Sequence, residues 1–158
     1  RRRVWWDCLD FNPHPTGHGF EVSYYTRLFG NANVGNLNLT NLQIAGQLTS
    51  DSTAYLLGWY LSMNKADICT EDLFANAAAT LNVGDHPQAQ RKLIELQREP
   101  QPLGVVLPVR QCFNVNMEFF GKSFNAFKNK LRAADRDPER DPFRIWIHLE
   151  GWEIRERY

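Results

Sequence analysis

His14 and His18 flank Pro15-Thr16-Gly17, with Asp7 and Asp10 upstream, and nowhere else in the chain do candidate metal ligands crowd together. A divalent transition metal takes three or four N, O or S ligands, and His-x3-His supplies two of them. That spacing puts both imidazoles on one face only in a helix, which Pro15 and Gly17 forbid, so the segment reads as a polar connecting loop. Cys8, Cys69 and Cys112 are odd in number and widely spaced. They fit neither a disulfide framework nor paired zinc ligands and read as reduced, small core residues. The carboxylate pairs Glu71/Asp72 and Glu150/Glu153 could serve glycoside chemistry, but they read more simply as a helix start and the solvent face of a strand. No nucleophile elbow, phosphate loop or dinucleotide fingerprint occurs. Arg1, Arg2 and Arg3 form a basic tail that could grip an anionic partner, nucleic acid included. Asn38-Leu39-Thr40 matches the glycosylation pattern and is read as fortuitous. No catalytic residue, metal or cofactor is expected from these sets.

Composition bounds the rest. The chain has 158 residues, a length suited to one domain over 1–158. With 43% hydrophobic and 23% charged residues it is globular in composition. Its 18 basic and 18 acidic residues cancel, which removes the basic excess that phosphate neutralisation requires. The apolar runs, such as Ala54–Leu61 and Gly104–Val109, fall short of the roughly 20 residues that cross a bilayer. No apolar segment of signal-peptide type follows the arginines. Aromatic residues make up 13% of the chain, which suits a sheet-rich fold that also touches a partner.

The elements follow from period-two alternation bounded by turn residues. In Val109–Phe119 the residues Val109, Gln111, Phe113, Val115, Met117 and Phe119 share one face. In the last segment Phe143, Ile145, Ile147 and Leu149 face one way and Arg144, Trp146, His148 and Glu150 the other. Gly151 then marks a bulge or a close backbone approach. Further strands are expected at Val4–Leu9, Phe20–Leu28, Ala54–Met63, Ala79–Val83 and Gln88–Leu96, the last with competing helical propensity, and Gly84-Asp85 turns a hairpin. Helices are expected at 71–78, capped by Thr70, and at Phe124–Ala134, where Phe124, Phe127 and Leu131 recur. Asn31–Asn41 and Arg132–Pro142 read as connecting loops. Such a chain is mainly β: an antiparallel sandwich or barrel with one or two short helices.

The succession DLFANAAATLNVGDHPQ, PLGVVLPVRQCFNVNMEFF and FRIWIHLEGWEIRER, over residues 52–158, resembles the single jelly-roll structural proteins of bacteriophage virions. The resemblance rests on the Gly84-Asp85 hairpin, the amphipathic strand after Pro108 and the ending Leu149-Glu150-Gly151 followed by arginine. It implies an antiparallel β-sandwich of jelly-roll type, no enzyme activity, location in the virion, and partners that are copies of the chain and other coat proteins. Arg1, Arg2, Arg3, Trp146, His148 and Trp152 are the candidate contact residues. The rival reading is a carbohydrate-binding or receptor-binding sandwich, with Trp5, Trp6, Tyr24, Tyr25, Trp59 and Tyr60 as a stacking platform. A cupin-like enzyme comes third, because its His-rich metal set is poorly served by four scattered histidines.

Overall fold

A computed structural model describes residues 1–11, 23–30, 39–48, 51–65, 68–133 and 143–155. The strands are β1 (Arg2–Phe11), β2 (Ser23–Leu28), β3 (Ser52–Met63), β4 (Ala77–Val83), β5 (His86–Lys92), β6 (Gln101–Leu107), β7 (Phe113–Phe120) and β8 (Phe143–Arg155). The helices are α1 (Glu71–Ala75), α2 (Leu93–Arg98) and α3 (Gly121–Ala133). The strands form two four-stranded sheets, ordered β1-β8-β3-β6 and β2-β7-β4-β5, and every pairing is antiparallel. Each early strand thus has a late partner: β1 with β8, β2 with β7, β3 with β6, β4 with β5.

Alternation dictates the core. Ile145, Ile147 and Leu149 of β8, Val115, Met117 and Phe119 of β7, and Trp5, Trp59 and Leu81 are sealed from solvent, whereas Trp146, His148, Asn114 and Asn116 lie outward. Trp5 and Trp59 both stand opposite Leu149 in the register, one on each side of β8. Helix α2 presents Leu93 and Leu96, and α3 presents Phe124 and Phe127, three residues apart in each case and buried.

Several expectations are corrected. Arg2 and Arg3 are no tail: β1 begins at Arg2, and Arg2 and Arg3 pair with Trp152 and Gly151. Val109 and Gln111 do not extend β7, because Arg110 takes a left-handed φ of 61° in a turn and leaves Val109 exposed. The expected strand 88–96 divides into β5 and α2, since Leu93 and Leu96 have helical, not alternating, spacing. Thr70 sits at the N-cap of α1 but makes no capping hydrogen bond there; its hydroxyl lies 3.9 Å from Met63 Sδ. Glu150 and Glu153 differ in parity and therefore face opposite sides of the sheet, with Glu153 buried. His14 and His18, Asn38, most of the Asn-rich stretch and most of 132–142 lie outside the described residues.

The Gly84 turn forms as expected, with φ of 59°. Gly151 is a close approach: an added Cβ would stand 1.8 Å from the Tyr55 carbonyl oxygen, while the bulge itself falls across the ladder in β3, between Leu56 and Gly58. That bulge lets β3 bury Ala54 and Leu56 before it and Trp59 and Leu61 after it.

Candidate functional site

The outer face of the β1-β8-β3-β6 sheet carries an aromatic row and an exposed apolar patch. Its rows follow from register. Trp6, His148 and Tyr60 stand abreast on β1, β8 and β3; Trp152, Tyr55 and Val106 stand abreast on β8, β3 and β6. The His148 and Tyr60 rings stack at 4.5 Å with 3° between their planes. His148 Nε2 shares a hydrogen bond of 2.8 Å with the Ser62 hydroxyl. Burial lowers the His148 pKa and keeps the ring neutral at neutral pH. Burial, then the Glu150 charge, raises the pKa of the Tyr60 phenol. Glu150 lies over Gly58, where a side chain would meet its carboxylate at 2.9 Å. A serine beside an imidazole is half of a nucleophile–base pair, but no described carboxylate orients this ring from its other nitrogen.

Toward β6 the face becomes apolar and open. Tyr55, Val106, Trp152 and Ile154 are each 40–49% exposed. The other sheet mixes polar pairs with separate aromatics on its exterior: Asn82 donates to Asn114 at 3.0 Å and Gln90 to Thr80 at 3.2 Å, while Tyr25 and Phe120 stand exposed on β2 and β7.

The arginines expected to grip a partner are distributed by strand alternation. Arg3 turns inward and donates to Glu153 Oε2 at 2.9 Å, with its guanidinium 5.8 Å from the Trp5 ring centroid. Arg2 turns outward, 3.9 Å from Glu150, and Arg1 is exposed. Ser52 donates to Glu153 Oε1 at 3.1 Å, and Arg155 stands 4.0 Å from the same oxygen. Burial alone would raise the Glu153 carboxyl; the hydrogen bonds from Arg3 and Ser52 and the charges of Arg3 and Arg155 outweigh it and hold the pKa below its ordinary value. Sequence reasoning missed this cluster. The signal was there, in an odd-numbered Glu153 continuing the apolar parity of Phe143 to Leu149.

Trp146 and His148 are half-buried and Trp152 is exposed on one face, so the structure does bring these three candidates together. It does not assemble the aromatic platform: Trp5 and Trp59 are fully buried, while Tyr25 lies on the other sheet. No group of three or more metal-ligating side chains occurs among the described residues, and no described helix is long and apolar enough to cross a membrane. No family model, curated protein or solved structure matches the chain. The face is therefore read from its own chemistry.

The two titrating groups give a pH prediction. A depressed histidine costs stability as pH falls below about 6.5, because the unfolded chain then binds the extra proton. A depressed carboxyl contributes stability above its unfolded value, about 4.3, and loses it as pH falls through the lower folded value. Two acid-destabilising phases are expected in urea titrations. Glu153→Gln should cost about 1.5–3 kcal/mol at neutral pH and remove only the lower phase. An unchanged lower phase in that variant would contradict the assignment.

Proposed function

We propose that the chain is a jelly-roll domain acting as a non-enzymatic structural subunit of a phage virion, assembling with copies of itself and with other coat proteins. The observation that carries this reading is the nested pairing of strands. A ribbon of paired strands, β1 with β8 through β4 with β5, that rolls over on itself gives the orders β1-β8-β3-β6 and β2-β7-β4-β5. Those orders support the jelly-roll reading, an eight-stranded double-sheet architecture used by viral capsid proteins and also by lectins and cupins. Function must then come from surfaces. The outer face with Tyr55, Val106, Trp152 and Ile154 supports contact with another protein, since contiguous exposed apolar residues mark such sites. Repetition through a shell multiplies modest contacts of this kind. The carbohydrate reading has lost Trp5 and Trp59 to the core.

Mass photometry and negative-stain imaging over a concentration series test the proposal. Regular oligomers or particles are expected. A protein that stays monomeric at high concentration and binds glycans on an array would replace this reading with its rival.

A further inference from the structure

The sheet edges are treated unequally. On β1, residues 40–42 cover the edge. Asn41 stands in for a strand: its side chain accepts from Trp6 N–H at 2.7 Å and donates to the Val4 carbonyl at 2.8 Å, and its own N–H donates to the Trp6 carbonyl at 3.2 Å. The edge strand β5 carries Pro87, Arg91 and Lys92, residues that discourage pairing. Strand β6 has no covering segment among the described residues and no charge, and its one proline, Pro102, stands before Leu103–Leu107. It pairs with β3 alone, and among the described residues Leu103–Leu107 make no backbone hydrogen bond outside that ladder.

The sequence of β6, QPLGVVL, contains no charge, and nothing stands within 4 Å of the Cβ position of Gly104. Val106, 47% exposed, ends the apolar row that runs through Trp152 and Tyr55. An approaching strand would thus meet open backbone flanked by apolar side chains.

We propose that β6 is a self-pairing edge: two copies of this chain join antiparallel along Leu103–Leu107 about a two-fold axis, fusing their β1-β8-β3-β6 sheets into one. The inference rests on the assembly reading above and names the surface it uses. A second copy fits because an antiparallel strand pair is self-complementary under a two-fold, so each edge supplies the donors and acceptors that the other lacks. Charge agrees, since an uncharged strand meets its own copy without repulsion, whereas β5 would bring its arginine and lysine together. The apolar rows ending at Val106 in each copy would then meet across the new ladder.

Sedimentation velocity over a concentration series, with the full chain, compares the wild type with Val106→Lys and with Gln88→Lys on β5. Val106→Lys places two ammonium groups at the junction and is expected to weaken self-association at least tenfold, with Gln88→Lys unchanged. Hydrogen exchange on the wild type is independent of any variant's folding. Amides of residues 103–107 should gain protection from dilute to concentrated solution, and those of 86–92 should not. Assembly that persists in Val106→Lys without concentration-dependent protection of β6 would overturn the edge while leaving the assembly reading intact. A wild type that remains monomeric at all concentrations would overturn both.

Discussion

Replacing Gly151 with alanine is expected to strip the fold of much of its stability. The new methyl group would occupy a point 1.8 Å from the Tyr55 carbonyl oxygen and 3.0 Å from the Leu56 Cα, both backbone atoms that cannot rotate away. To admit it, β8 and β3 must part at the middle of the sheet. A domain of this kind holds only about 5–15 kcal/mol in total, and the displacement is expected to remove more than about 4 of them. Circular dichroism with urea titration checks it: the Gly151→Ala midpoint should fall far below that of the wild type, or the cooperative transition should be lost. Gly104→Ala is the control, because its Cβ meets nothing and the change should stay within about 0.5 kcal/mol. A wild-type midpoint for Gly151→Ala would show that the two strands have room to separate.

Trp59→Ala is expected to cost about 3–5 kcal/mol, the range for truncating a fully buried tryptophan. The mechanism is a cavity beside Leu149, in the layer that Trp59 shares with Trp5. Trp59→Phe sharpens the prediction. The indole N–H of Trp59 is buried without a hydrogen-bond partner among the described residues, and phenylalanine removes that donor along with some volume. It should therefore cost clearly less than alanine, by about 2 kcal/mol or more, in the same urea titration. Equal losses for both variants would contradict the cavity mechanism, because phenylalanine keeps most of the volume that alanine removes.

Much of this fold is legible in the residue pattern, and the misses share a cause. Strand β8 is readable because its apolar parity runs unbroken from Phe143 to Leu149, so a single rule gives its face, though the strand runs on past Gly151 to Arg155. The β6–β7 connection is misread because Val109 and Gln111 happen to continue the parity of Phe113. A left-handed turn at a non-glycine residue, Arg110, leaves no mark in composition. Glu153 is misread for a related reason: charge argues for solvent, while parity argues for the interior. The interior wins because Arg3 and Ser52 are at hand to receive it. The three arginines look like one feature in the sequence and become separate ones once alternation sends Arg2 and Arg3 to opposite sides. The outward aromatic row is half legible. Periodicity sets Trp146 and His148 on one face, but that Tyr60 stacks on His148 depends on which strand lies beside β8, and pairing partners far apart in sequence carry no local signal.

The placement of β8 between β1 and β3 has a consequence for how the chain reaches its native state. A growing polypeptide can form the β4–β5 hairpin early, but the sheet that holds Trp5 and Trp59 lacks β8 until the other seven strands have been made. Arg1 and Glu153, 152 positions apart, must meet for its outermost rung to close. Such high contact order puts acquisition of structure on the millisecond-to-second side of the usual range. During that wait the facing flanks of β1 and β3 are both without their neighbour, the interval in which a chaperone or a sister molecule could occupy the gap.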